Sequence, residues 1–235
     1  MKTALSLIAL VLALGGCVSL GPQADTPGVV YYVLNDTGCA AGPVPARADA
    51  PKDAGQPGAD PSAEPSVQQA DCGFLRAEAG ERSYAPTLLV PDTTASGFYD
   101  TDQLIFSRSA GTRGQYQFAR WTERPAKRFA ELLRARLDHL GSYRVAAAGG
   151  YVRGDLLLDT RLVEFYHDAS SEPGTVRLKL RAELVDLKQR TVLGRHTFER
   201  QVPMATYDAA GAARASSLAV SRVLDDLSVW LATFK

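Results

Sequence analysis

Residues 176–184 read VRLKLRAEL, a stretch in which apolar and charged residues alternate without a break. Such alternation predicts a β-strand with one face in the core and the other in solvent. Turn residues at 172–174 (EPG) precede this strand, and residues 187–190 form the next turn. With strands at 155–167 and 191–202 on either side, the pattern predicts a long β-meander.

Further strands are predicted at 29–34, 87–90, 103–107, 116–121 and 143–147, with a hairpin turn at 108–114. Residues 29–34 (VVYYVL) are apolar at every position, which favours a buried, central strand. A helix is expected to begin at Pro125 and to end at Gly141, and a second to begin after Asp208, a good N-cap residue. The predicted fold class is α/β (α+β): one mixed sheet with two amphipathic helices packed on it.

The first residues, MKTALSLIALVLALGGC, have the form of a signal peptide. The apolar run at residues 4–14 is too short to cross a bilayer as a helix, and Lys2 supplies the positive start. Residues 14–17 (LGGC) resemble a bacterial lipobox, which predicts cleavage after residue 16 and diacylglycerol on Cys17. An ordinary secretory signal with an incidental cysteine is the alternative. In enterobacterial lipoproteins, an aspartate directly after the lipidated cysteine signals retention in the inner membrane. Because this position is Val18, the periplasmic face of the outer membrane is favoured over the inner membrane.

The remaining chain is predicted to be a lipidated tether at 17–28 and a single domain at 29–235, interrupted at about 40–71. That interruption holds six prolines and few large apolar residues, so a disordered insertion is expected, with a docking arm as the alternative. Cys39 and Cys72 flank it. In an oxidising periplasm these two form a candidate disulfide, and two free thiols are the alternative.

Composition and motifs exclude several classes of function. The formal net charge is +0, which gives no basis for binding nucleic acid. No nucleophile elbow, P-loop or dinucleotide fingerprint occurs. The three histidines, His139, His167 and His196, lack metal-ligand spacing, and each has a structural explanation. We therefore expect no catalytic residues, no metal and no cofactor.

Exposed aromatic and arginine side chains are the remaining candidates for a site. Tyr31 and Tyr32 are adjacent on a strand and face opposite sides, and Arg120 and Trp121 precede the first helix. Tyr, Trp and Arg are enriched at the centres of protein interfaces, so these four residues are a possible partner interface. The alternative is that they belong to the core or its rim.

The order of several short motifs resembles the ABC-type transport auxiliary lipoprotein family. After the lipobox come YYVL (31–34), L-x-V-P (88–91), Ile105-Phe106 and Y-x3-RW-x3-P (116–125). The resemblance implies a non-catalytic lipoprotein that works with an MCE-domain protein, an ABC permease and an ATPase to move lipids or other hydrophobic molecules across the envelope. It also implies a fold similar to the N-terminal domain of TolB. A structural or assembly lipoprotein of the outer membrane is the alternative function.

Overall fold

The structure, a computed structural model, describes residues 28–38, 85–149 and 151–234. In chain order the strands are β1 (Val30–Tyr32), β2 (Thr87–Leu89), β3 (Thr94–Ala95), β4 (Gln103–Ser107), β5 (Gly114–Trp121), β6 (Arg144–Ala146), β7 (Leu156–Asp168), β8 (Thr175–Asp186) and β9 (Thr191–Pro203). The helices are α1 (Pro125–Leu140) and α2 (Ala209–Ala232), and a short 3-10 helix covers Gly97–Tyr99. All nine strands belong to one mixed sheet, so the predicted fold class is confirmed.

The meander β7–β8–β9 is the largest part of this sheet. Its strands are antiparallel, with Leu162 opposite Leu180 and Leu180 opposite Phe198. Every second residue of β8 from Val176 to Leu184 is buried, and the residues between them lie on the opposite face. The strict alternation in the sequence therefore reports a sheet that is covered on one face and open on the other.

The other edge of β7 is shared by three short strands. β2, β3 and β4 pair with it one after another, all in parallel, through Leu88–Leu156, Thr94–Arg161 and Phe106–His167. β6 extends the sheet beyond β2, whereas β5 and then β1 extend it beyond β4. β1 and β5 thereby come to lie at the end of the sheet where β7 finishes.

The two helices contact each other and share one hydrophobic core with the meander. α2 packs on β8 and β9 through an apolar stripe in which Val223, Leu224 and Leu227 are fully buried. α1 ends as predicted at Gly141, which adopts the left-handed conformation with φ of 68°. That conformation suits glycine, since it has no Cβ to clash. None of the helices in the described residues has the length and apolar character needed to cross a bilayer.

We expect Asp208→Ala to lower the free energy of unfolding by about 1 kcal/mol. The Asp208 carboxylate accepts a hydrogen bond of 2.6 Å from the Gly211 backbone N–H, which caps the first turn of α2 as the sequence predicts. Alanine leaves this N–H without its partner. Urea denaturation checks the result, and Asp208→Asn, which keeps a capping oxygen, is the matched control.

The prediction that residues 29–34 form a central strand is wrong. The strand is shorter, Val30–Tyr32, and within the described residues it pairs only with β5, at the edge of the sheet. Val30 is 51% exposed and Tyr31 is 60% exposed. In the described residues, this run, apolar on both faces, therefore forms an edge strand with exposed apolar side chains.

The sequence predictions for the anchor and the insertion concern residues outside the described part of the chain. These are the signal peptide at 1–16, Cys17 and the tether, the insertion at about 40–71, and the pair Cys39 and Cys72.

Candidate functional site

The four residues predicted as a partner interface meet at one place in the fold. β1 and β5 run parallel, and their register places Tyr31 opposite Arg120 and Tyr32 opposite Trp121. Two short motifs that are almost ninety positions apart in sequence thus form two adjacent cross-strand pairs. Side chains in such pairs lie close enough to contact each other.

The two pairs differ in accessibility. Tyr31 is exposed, and the guanidinium of Arg120 is partly exposed and forms an ion pair of 3.3 Å with Asp102. Trp121, by contrast, is 3% exposed and stacks on Phe165 with 5.9 Å between ring centroids, and Tyr32 packs against the same core. Tyr31 and Arg120 are therefore available to a partner, while Trp121 and Tyr32 hold the strand pair onto the core.

Tyr31 is one of several large apolar side chains on and near β1 that are exposed in the described part of the chain. We define the β1-edge patch as the exposed hydrophobic residues of this region: Val29, Val30, Tyr31, Val33 and Phe118. Contiguous apolar surface on a soluble domain commonly marks a contact with a protein or a membrane. β1 also has a backbone edge without a strand partner in the described residues, so the patch combines apolar side chains with free hydrogen-bonding groups.

The segment that follows β1 is locked between the two helices. Arg136 of α1 binds the Asp36 carboxylate through two hydrogen bonds, of 2.9 and 2.7 Å, and also contacts Asp225 of α2. The Asn35 and Thr37 backbone N–H groups donate to Ser217 and Ser221 of α2 at 3.2 and 2.6 Å. We call this set the N-terminal clamp, because it fixes the chain immediately after the edge strand to both helices.

The clamp is an almost buried arrangement of charges. The side chains of Arg136 and Asp36 are 10% and 7% exposed. Burial alone raises the pKa of the Asp36 carboxyl, but hydrogen bonds from Arg136 and from the Gly38 backbone outweigh it and leave this pKa below its ordinary value. The pair is therefore ionised at neutral pH, with Arg136 supplying a counter-charge to Asp36.

Sequence reasoning missed the clamp because its partners are 100 positions apart. One feature of the sequence nevertheless indicates a buried ion pair at Arg136. Arg136 lies three positions after Leu133 and seven after Phe129, which places it beside the apolar stripe of α1 and not on the solvated face. A charged residue in that position requires a buried partner.

The histidines occupy the places that the sequence suggests. His139 is exposed in the last turn of α1, and His196 lies against Phe198 in a tilted arrangement with 4.5 Å between ring centroids. His167 is buried near the end of β7, where its Nδ1 lies 2.8 Å from the Tyr116 hydroxyl and its ring packs edge-on against Tyr207. Each ring thus has a structural role in packing or at a helix end.

We expect stability to decrease as the pH falls below about 6.5, the ordinary pKa of histidine. Burial lowers the pKa of His167, although the Asp168 charge acts in the opposite direction. The unfolded chain therefore takes up a proton at a pH where the folded chain does not, and this favours unfolding in acid. The melting temperature between pH 7.5 and 5.5 should fall more steeply for the wild type than for His167→Gln. Equal slopes would contradict the assignment.

A cavity of about 260 Å³ lies between the carboxyl ends of α1 and α2. Its lining is mostly apolar and includes Leu137, Tyr143 and Leu231. Sites for small molecules usually have volumes of about 300–1,000 Å³, so this cavity is small for a lipid. No group of His, Cys, Asp and Glu within the described residues is arranged to hold a metal ion.

Comparison with known proteins shows which family the chain belongs to. Residues 75–228 match the model of a family described as the ABC-type transport auxiliary lipoprotein component. The match covers well over half of the chain and includes β2 to β9, α1 and most of α2. No curated protein matches the chain in sequence.

Several solved structures resemble the chain. Protein XCC0632 from Xanthomonas campestris superposes with a TM-score of 0.57 at 22% identity, over 62% of this chain and 82% of that one. An uncharacterised protein gives a TM-score of 0.55 at 12% identity, over 63% and 92%. Lipoprotein GNA1162 from Neisseria meningitidis, 12% identical, has a TM-score of only 0.34 over 61% and 98%. The first two share the fold, and at such identities the likeness concerns the fold alone.

Proposed function

Because the chain belongs to the ABC-type transport auxiliary lipoprotein family, we propose that it is the non-catalytic, lipid-anchored accessory subunit of an ABC-type transport system. Its partners are a permease, an ATPase and an MCE-domain protein, and the system moves lipids or other hydrophobic molecules across the cell envelope. The observation that carries the proposal is the family match over residues 75–228. The arrangement of the described residues, a surface with no large cavity, supports a bridging subunit.

The anchor in this proposal is Cys17, carrying acyl chains on the periplasmic face of the outer membrane. Val30 follows Cys17 by thirteen steps along the chain, so the start of β1 lies within about 45 Å of the acylated residue even with the tether fully extended. Several acyl chains on one cysteine anchor a protein stably, whereas one chain alone is marginal. The intact mass of the native chain checks this part: cleavage before Cys17 and an added diacylglycerol are expected.

The N-terminal clamp gives the anchor a firm connection to the domain. Residues 34–38 follow the edge strand and are held by α1 and α2 through Arg136, Ser217 and Ser221. A force on the acylated end would therefore reach the whole helix pair and not only a loose terminus. This suits a subunit that keeps a membrane and a transport complex at a defined separation.

The partner surface in this proposal is the β1-edge patch together with Arg120. An extended segment of a partner can pair with the free edge of β1 through backbone hydrogen bonds, while Tyr31 and Phe118 contact its side chains. Aromatic and arginine side chains of this kind contribute most to binding at protein interfaces. Trp121 and Tyr32 do not contact the partner in this proposal; they pack on the hydrophobic core and hold β1 and β5 in place.

The test is co-purification from the native envelope in mild detergent, with the wild type and with Tyr31→Asp. We expect the wild type to recover the MCE-domain protein and the other transport components, and Tyr31→Asp to reduce that recovery at least tenfold. The matched control is Tyr151→Asp, since Tyr151 is exposed as well, at 98%, but lies in the loop before β7.

Two results would contradict the proposal. If the Tyr31→Asp variant recovered as much of the transport components as the wild type, the β1-edge patch would not be the contact surface. Recovery dominated by outer-membrane barrel proteins or peptidoglycan, with no transport component, would instead favour a structural or assembly lipoprotein.

A further inference from the structure

We propose that the open face of the meander binds an acidic segment of a partner protein, through a pair of adjacent arginines, Arg161 and Arg181. The inference rests on the proposed function in that the partner is taken to be another component of the transport system. It adds a second contact surface, on strands β7 and β8, and the chemistry of the group that fits it.

The starting observation is a like-charged pair in direct register. Arg161 of β7 lies opposite Arg181 of β8, and both side chains are exposed. Side chains directly opposite each other in antiparallel strands are about 4.5–5.5 Å apart at Cβ, and like charges in that position are destabilising. Neither guanidinium forms an ion pair within the described part of the chain.

Neighbouring charges on the same face are arranged differently. Lys179 and Glu199 form a cross-strand ion pair of 2.5 Å, Arg195 pairs with Glu183, and Arg177 binds Asp168 at 2.8 Å. The face therefore matches opposite charges at three places, places two arginines side by side at a fourth, and sets Asp159 opposite Glu183 at the next register position. Since a carboxylate between two guanidinium groups removes their repulsion, the pair is suited to receiving one from outside.

An aromatic cluster lies farther along β7, around Tyr166, which pairs with Arg177. Thr94 of β3 pairs with Arg161, and the 3-10 helix that follows carries Phe98, which is 46% exposed. Tyr99 from this helix stacks on Tyr166 of β7, and the Arg113 guanidinium lies 3.9 Å from the Tyr166 ring centroid. Tyr and Arg are residue types that are enriched at protein-binding hot spots.

The charges of the face favour a protein over a membrane as the occupant. Glu164, Glu183 and Glu199 share it with the basic residues. An anionic lipid surface would meet these carboxylates as well as the arginines, so a broad sheet of negative charge is a poor fit. A protein segment can place single carboxylates at the arginines and leave the acidic positions uncontacted.

The experiment uses the full-length lipoprotein in its native envelope with a photo-crosslinking amino acid at Thr197, which lies opposite Arg181 on β9. We expect a crosslink to a protein segment rich in Asp and Glu, identified by mass spectrometry. The double variant Arg161→Glu/Arg181→Glu should reduce it at least tenfold. Replacing the crosslinked acidic residues by Lys should restore it. Arg222→Glu, an exposed site on α2, is the control and should leave the crosslink unchanged.

A second measurement separates binding from a structural role. Arg181→Thr removes a charge that repels its neighbour, so its melting temperature should lie within about 2 °C of the wild type or above it. A fall of more than about 3 °C would show that Arg181 supports the fold, and would overturn the proposal. A crosslink to lipid, to a second copy of the chain or to no molecule would overturn it as well.

The outcomes distinguish this inference from the proposed function. The Arg161→Glu/Arg181→Glu variant could recover the transport components normally but fail to form the acidic crosslink. That result would support the proposed function and refute the arginine site. A charge-dependent crosslink to an acidic protein that belongs to no transport system would support the arginine site and refute the proposed function.

Discussion

Arg136→Ala is expected to lower the free energy of unfolding by about 3–5 kcal/mol, among the largest effects of any single substitution in this chain. The substitution leaves the Asp36 carboxylate, which is 7% exposed, without the guanidinium that binds it at two points. A buried charge that loses its ion-pair partner keeps its desolvation cost, and the remaining hydrogen bond from the Gly38 backbone offsets only part of it. The contact with Asp225 of α2 is lost at the same time.

Chemical denaturation of the Arg136→Ala variant measures this loss, with Arg124→Ala as the control. Arg124 also pairs with an aspartate, Asp100, but both side chains are more than half exposed, so little change is expected there. A small effect of Arg136→Ala would contradict the clamp. Because the pKa of Asp36 lies below its ordinary value, the stability that this carboxylate contributes is present above about pH 4 and is lost as the pH falls further.

Trp121→Ala is expected to lower the free energy of unfolding by about 3–5 kcal/mol as well. The ring is 3% exposed, stacks on Phe165 and lies directly behind the edge strand, opposite Tyr32. Its removal leaves a large cavity under β1 and β5, which the surrounding side chains fill only partly. The Trp121 side chain therefore supports the strand pair that presents the proposed partner surface.

Comparison with Tyr31→Ala makes this assignment testable. Tyr31 is 60% exposed, so its truncation should leave the denaturation midpoint nearly unchanged and weaken recovery of the partner. Trp121→Ala should shift the midpoint strongly. If Tyr31→Ala destabilised the fold as much as Trp121→Ala, the division between an accessible and a supporting pair would be wrong.

Local sequence patterns predicted most of the elements of this fold. β8 was readable because its residues alternate, and α1 because Pro125 and Gly141 mark its ends. The short strands were harder. β3 has two residues, Thr94 and Ala95, and exists because it fills the edge of β7 between β2 and β4. Such a strand is defined by its long-range pairing, which no local pattern encodes.

The burial of β1 shows the limit of reading apolar content. Residues 29–34 have the composition of a central strand, yet Tyr31 lies at an exposed edge. An apolar composition indicates that the side chains of a strand favour burial. It does not show whether they are buried by the same domain or by a binding partner. The same limit explains why the four interface candidates divide into two accessible and two supporting residues.

Charge placement was the least predictable feature of the surface. The Arg161–Arg181 pair depends on the register of β7 and β8, and that register includes an irregularity between Leu162 and Glu164. An offset of one residue in a strand moves every side chain to the other face, so the sequence alone does not reveal which charges become neighbours.

Native mass spectrometry of the wild-type complex, purified from its own envelope through a tag on the full-length chain, tests the proposed function most directly. We predict one assembly that contains the diacylated chain together with the MCE-domain protein, the permease and the ATPase. A chain recovered alone and without acyl groups, or bound only to proteins unrelated to transport, would contradict the role of an accessory transport lipoprotein.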